Sequence, residues 1–301
     1  MATIAFVFPG QGSQYVGMAK DFWDADPASR SLMEHADAVL GIPLSSICFA
    51  GPEEELRQTQ NTQPAIFLHS IVVAQKVRSV RPDMVAGHSL GEYSALVVAG
   101  AIGFDDALRL VRLRGELMQK SGIERRGTMA AVVGLDPETV EDLCREAASV
   151  GVVQPANFNS PGQIVISGSV DGVRHAMVIA RQRGAKLVKE LVVSGAFHSP
   201  LMESARNGLK QGINSAGIRD ARIPVYANVT AEPVTRAADI RDLLYRQLTS
   251  PVRWEQTVKN MVRDGATDFV EIGPGKVLQG LVKRTSGEVR AGGIDKLTEI
   301  A

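Results

Sequence analysis

Cysteine is nearly absent: Cys48 and Cys144 are the two occurrences in 301 residues, and their separation matches neither a disulfide framework nor a metal-ligand spacing. Both read as small apolar residues, which fits a reducing compartment. Net charge is absent too, since 33 basic residues balance 33 acidic ones. That balance gives no reason to expect nucleic acid or an anionic membrane as a partner. No apolar run approaches the ~20 residues that span a bilayer. The longest, Ala95 to Phe104, is short and carries two glycines. The N-terminal apolar run has no basic stretch ahead of it and stops at Pro9-Gly10, so no secretory signal is expected. These absences point to a cytoplasmic protein. The length suffices for a sizeable core, as one large domain or a core with a smaller companion.

What is present is organised around Gly87-His88-Ser89-Leu90-Gly91. The pattern G-x-S-x-G, with the apolar Met84-Val85-Ala86 before it and a helical stretch from Glu92 after it, predicts a strand–turn–helix that lifts a serine hydroxyl above a sheet. A plain glycine-rich turn is the bland alternative. In the elbow reading the Leu90 N–H, at the first turn of the helix, is a donor to an oxyanion.

Upstream, Thr3 to Phe8 reads as a strand buried on both faces, and it feeds the loop Pro9-Gly10-Gln11-Gly12-Ser13-Gln14. Loops at strand ends hold ligand groups in open α/β sheets. This one lacks the Gly-Lys-Ser/Thr of a phosphate loop and the third glycine of a dinucleotide fingerprint. Gln63-Pro64 is expected to open a helix, with Pro64 in its first turn. In a later helix, from about Asp105 to Lys120, Ala107, Leu110, Val111, Arg114, Leu117 and Met118 share one face. Arg109 and Arg112 fall toward the solvated side. Arg114 sits in the apolar stripe, where it pairs with a protein carboxylate, meets an anionic ligand, or extends its head to water.

From residue 126 the order becomes β-α-β-β-α-β: strands near 128–135, 152–157, 163–167 and 185–192, with helices from Asp136 and Asp171. This is the split βαβ, or ferredoxin-like, pattern, and it predicts a small inserted domain. Asn159 reads as a turn residue. The chain then returns through Gly195-Ala196-Phe197-His198-Ser199-Pro200. His198 lies in a loop between a strand and a helix and is the leading base. His35, His69 and His175 fall on helices, and His88 adjoins the serine and points elsewhere. No acid between Ser89 and His198 has a strand-end setting. Asp264-Gly265-Ala266 resembles the patatin-like signature but closes a polar helix and leaves His198 unexplained. A Ser89–His198 pair oriented by a side-chain amide or a main-chain carbonyl is the plainer inference. Further strands are expected at Ile223 to Asn228, Thr267 to Ile272 and Gly287 to Ile294.

Taken together, FVFPGQGSQ (6–14), TQPAIF (62–67), GHSLGEYSAL (87–96), RLRGELM (112–118), NFNSPGQIVISG (157–168), GAFHSPLM (195–202), QLTSPVRW (247–254) and EIGPGKVLQGL (271–281) resemble the malonyl-CoA:acyl carrier protein transacylase family along essentially the whole chain. The resemblance implies an α/β-hydrolase-like core of residues 1–125 and 195–301, with a mainly parallel sheet, and a ferredoxin-like domain at 126–194. It implies Ser89 as nucleophile and His198 as base, with the backbone N–H groups of Gln11 and Leu90 as oxyanion hole. Arg114 would bind the malonyl carboxylate, the Gln247 carbonyl would orient His198, and Phe197 would favour malonyl over methylmalonyl. Malonyl-CoA and holo-acyl carrier protein, carrying phosphopantetheine, are the implied partners of a monomer with no metal and no permanently bound cofactor. A thioesterase, which releases free acid, and a noncatalytic scaffold, which tolerates loss of Ser89, are the competing classes.

Overall fold

The computed structural model describes residues 2–77 and 80–300. In chain order its strands are β1 (Ile4–Phe8), β2 (Met84–Gly87), β3 (Gly127–Val133), β4 (Val153–Ser160), β5 (Gln163–Ser169), β6 (Leu187–Glu190), β7 (Val225–Tyr226), β8 (Pro233–Val234), β9 (Asp268–Ile272) and β10 (Arg290–Ile294). Among the described residues they form two sheets, ordered β10-β9-β1-β2-β7-β8 and β4-β5-β3-β6. In the first sheet the neighbours run parallel except the β7–β8 pair, which is antiparallel. The second is antiparallel throughout. The fold is therefore α/β with mixed sheets.

β1 shows why the first sheet is buried. Four of its five residues are buried, and both its neighbours, β2 and β9, are parallel to it. A central strand covered on both faces has no polar side to offer. Phe8 and Gly87 are register partners at the ends of β1 and β2, so the loop after β1 lies beside Ser89, outside the carboxyl ends of the strands.

Helix Thr59–Lys76 packs against helix Phe104–Glu124 beside this sheet. Its start corrects the sequence expectation: Pro64 lies inside the helix, not in its first turn. Proline removes the N–H that would bond the carbonyl four residues back. Here that carbonyl, Gln60 O, accepts instead from Arg112 Nη1 at 2.9 Å. Arg112 is thus only partly exposed, against the solvated position expected for it; it also holds Asn61 Oδ1 at 2.7 Å and Glu116 at 2.6 Å. The strand expected over Ile223 to Asn228 pairs only at Val225–Tyr226, because Asn228 turns to serve the elbow described below.

The second sheet brings its own core. β3, helix Pro137–Ala147, β4, β5, helix Val170–Gln182 and β6 follow one another, and Val140, Leu143, Ile164, Ile166, Val173 and Ala176 pack together between the helices and the sheet. Both helices are capped by side chains: Asp136 accepts from Thr139 N–H at 2.8 Å and Ser169 from Gly172 N–H at 3.2 Å. β4 is also tied to the chain after residue 247. Phe158 N–H donates to Val252 O at 2.9 Å, and Val252 N–H to Ala156 O at 2.8 Å. Among the described residues no single helix is long and apolar enough to cross a membrane.

Candidate active site

The elbow is built by two close approaches. A Cβ on Gly87 would stand 1.9 Å from Gly91 C, and one on Gly91 would stand 2.0 Å from Phe8 O. Only glycine permits this packing of helix Gly91–Val98 onto β1 and β2. Between them Ser89 has φ 51°, a left-handed conformation that a non-glycine residue adopts only when its surroundings enforce it. Asn228 supplies that enforcement. Its Oδ1 accepts from Ser89 N–H and its Nδ2 donates to Gly87 O, each at 2.6 Å.

Ser89 Oγ lies 2.8 Å from His198 Nε2. His198 is itself left-handed, at φ 56°, in the loop after β6. Its Nδ1 is 2.9 Å from Gln247 O and 3.1 Å from Ser250 O, so two main-chain carbonyls share that proton. The Nδ1–H tautomer follows, leaving Nε2 as the acceptor toward serine. Burial, then the Arg114 charge and His88, lower the His198 pKa to about 3, while the carbonyls push it the other way. The imidazole is therefore neutral. Asp264, the remaining acid of interest, is taken up by Tyr226 Oη at 2.7 Å and by Arg263.

Arg114 is fully buried, so its head does not reach water. Its Nη1 donates to Gln63 Oε1 at 2.8 Å, and its Nη2 to Ser89 Oγ at 2.9 Å and Gln247 Oε1 at 3.0 Å. The Tyr93 ring lies 5.6 Å from the guanidinium carbon. All three hydrogen-bond acceptors are neutral. No carboxylate bonds it directly; Glu92 acts on its charge from the far side of the Gln247 amide. Gln63, Asn228 and the Gln247 side chain carry no sequence signature that marks them for this role.

Gln63, Ser89, Arg114 and His198 line a cleft of about 1020 Å³, together with Gln11, Leu90, Phe197 and, from β4, Asn157 and Asn159. The Gln11 and Leu90 N–H groups donate to no protein acceptor among the described residues. Asn159 Oδ1 lies 2.9 Å from His88 Nε2, which turns His88 away from the serine and gives Asn159 a partner across the cleft. Among the described residues no three His, Cys, Asp or Glu side chains are grouped to hold a metal ion.

The acyl transferase domain family model matches residues 5–297. The malonyl CoA-acyl carrier protein transacylase of Bacillus subtilis is 47% identical over 293 residues, covering 96% of this chain and 92% of the relative. The acyl-carrier-protein S-malonyltransferase structure from Burkholderia pseudomallei superposes with a TM-score of 0.94 at 42% identity, covering 99% of this chain and 98% of that one. A malonyl-transacylase solved in complex with a type II PKS acyl-carrier protein gives 0.96 at 41% identity, with 99% and 98% covered.

Proposed function

Since this chain belongs to the acyl transferase domain family, among the malonyl-CoA:acyl carrier protein transacylases, we infer that it moves a malonyl group from malonyl-CoA to the phosphopantetheine thiol of holo-acyl carrier protein. The observation that carries the reading is the buried Arg114, with neutral partners only, 2.9 Å from the Ser89 hydroxyl. The malonyl carboxylate lies two C–C bonds, of about 1.5 Å each, from the thioester carbonyl. A guanidinium this close to the nucleophile suits that short dicarboxylate.

The proposed cycle is ping-pong. Arg114 pairs with the malonyl carboxylate, giving up its bond to Ser89 Oγ. His198 Nε2 takes the serine proton as Oγ attacks the thioester carbon, and the Gln11 and Leu90 N–H groups receive the oxyanion, at about 3 kcal/mol per donor. The imidazolium is held by the Gln247 and Ser250 carbonyls and returns its proton to the departing coenzyme A thiolate, leaving malonyl-O-Ser89. The carrier thiol then gives its proton to His198, attacks the ester, and leaves as malonyl thioester while Ser89 is reprotonated. Phe197, buried at the cleft wall, limits space at the α-carbon and so disfavours methylmalonyl. No step calls on a metal or a resident cofactor. The product serves chain extension in fatty acid or polyketide synthesis.

The reading extends to the architecture: residues 1–125 and 195–301 as an α/β-hydrolase-like core, and 126–194 as a ferredoxin-like domain facing it across the cleft, in a cytoplasmic monomer. The β4-β5-β3-β6 order with two helices on one core supports the second assignment. The decisive experiment is intact mass after brief exposure to malonyl-CoA, then after adding holo-acyl carrier protein. Wild type should gain one malonyl group and pass it to the carrier, and Ser89→Ala should gain none. An adduct that yields only malonic acid in the presence of carrier would make the protein a thioesterase, and transfer without any adduct would overturn the covalent route.

A further inference from the structure

We propose that Glu92 is a positioning residue for malonyl transfer, holding nucleophile, base and substrate-binding arginine in register through Gln247 and Asn228. The proposal rests on Ser89, His198 and Arg114 being the reacting and binding groups.

Glu92 is the second residue of helix Gly91–Val98 and is 3% exposed. Among the described residues no cation forms an ion pair with it. An unpaired buried carboxylate is a liability for stability, so its presence asks for another reason. One oxygen, Oε2, accepts two hydrogen bonds, from Asn228 N–H at 2.9 Å and from Gln247 Nε2 at 2.9 Å. Burial pushes the carboxyl up to about 7 against the pull of these donors and of Arg114. Above that pH it is an acceptor with nothing to donate.

That chemistry settles which way the Gln247 amide faces. Its Nε2 donates to Glu92 Oε2 and, at 3.0 Å, to Ser89 O; its Oε1 accepts from Arg114 Nη2. Turned over, the amide would set oxygen against the carboxylate and N–H against the guanidinium, two repulsive contacts. Glu92 thus makes Gln247 present oxygen to Arg114. The main chain of the same Gln247 accepts from His198 Nδ1. On the other arm, the Asn228 whose N–H meets Oε2 clasps the elbow at Ser89 N–H and Gly87 O. A single carboxylate oxygen therefore lies one residue away from each of the three working groups.

Glu92→Gln tests this at pH 8, with melting temperature and single-turnover acylation of Ser89 by malonyl-CoA and acetyl-CoA. The glutamine amide can offer N–H to Gln247 and release it to turn. The expected result is a folded protein melting at or above wild type, with malonyl acylation slower by tenfold or more and the malonyl-over-acetyl preference reduced at least threefold. Combined with Gln247→Ala, Glu92→Gln should give a loss that falls well short of the product of the two single losses, since one of its two arms acts through that side chain. Wild-type rates and preference, equal losses for both thioesters alongside a matching fall in melting temperature, or losses that multiply in the double variant would each overturn the proposal. If Glu92→Gln does not fold, the same ratios are read on Glu92→Asp, whose carboxylate falls a methylene short. Wild type that forms no malonyl adduct would instead defeat the underlying reading.

Discussion

At the scale of the residue, Arg114 and His198 act on each other before any substrate arrives. Arg114 has no carboxylate partner and spends one N–H on the Ser89 hydroxyl. Arg114→Ala should therefore slow malonyl acylation by tenfold to hundredfold, on the order expected for a lost charge-assisted hydrogen bond, while acetyl transfer persists or improves. Paired kinetics with the two thioesters check it, and equal losses count against the role. The same cation helps hold the His198 pKa near 3, behind burial as the larger cause. A base works only when neutral, so protonation of His198 should lower kcat/KM only far below the ordinary histidine value of about 6.5. In Glu92→Gln, where residue 92 no longer titrates, the profile between pH 5 and 8 should be nearly flat on its acid side, and a limb centred at about 6.5 in that variant would contradict it. How much of this was legible follows from the kind of signal. Ser89 is marked by its pentapeptide, His198 by its loop, and Arg114 by its misplaced charge. The partners of Arg114 lie 51 and 133 positions away, as amide side chains on other helices, and no periodicity points to them.

At the scale of the element, two glycines in helices make opposite predictions. Gly91→Ala would put a methyl 2.0 Å from the Phe8 carbonyl and 2.9 Å from Pro9 O, both backbone atoms that cannot rotate away. It should cost at least about 3 kcal/mol and lower activity, because relief requires lifting the elbow off β1. Gly280, in helix Val277–Thr285, has nothing within 4 Å of its Cβ position and an ordinary helical φ. Gly280→Ala should stabilise by about 0.5–1 kcal/mol. Thermal melts of both decide, and similar shifts for the two would show that close approach is not what the elbow glycines supply. The helix Phe104–Glu124 and the β-α-β-β-α-β order were legible because long periodic segments and helix caps are local signals. The helix start at Thr59 was not. A proline normally marks the first turn, and only a distant arginine on the Gln60 carbonyl allows the helix to begin earlier.

At the scale of the whole molecule, the cleft divides its labour between the sheets. Ser89 follows β2 of the first sheet, and Arg114, on a helix packed against helix Thr59–Lys76, is bonded to its hydroxyl; in the proposed cycle these are the nucleophile and the carboxylate anchor. His198 stands on a loop whose support comes from both sides. Gln154, on β4 of the second sheet, donates from Nε2 to His198 O at 2.8 Å and to Thr249 O at 3.2 Å. The adjoining bonds between β4 and Val252 hold the segment whose Gln247 and Ser250 carbonyls orient the imidazole. Removing that amide leaves two main-chain oxygens without their donor and frees a left-handed histidine to drift. A displacement of about 1 Å in a reacting group costs on the order of a hundredfold. Gln154→Leu should therefore lower kcat by tenfold or more and leave the KM for malonyl-CoA close to wild type, because Arg114 keeps its bond to Gln63 on a pair of packed helices that Gln154 does not touch. Steady-state kinetics on the folded variant separate the two terms. A rise in KM with kcat unchanged would place Gln154 in substrate binding, and no change in either would mean that the second sheet walls the cleft without holding the base.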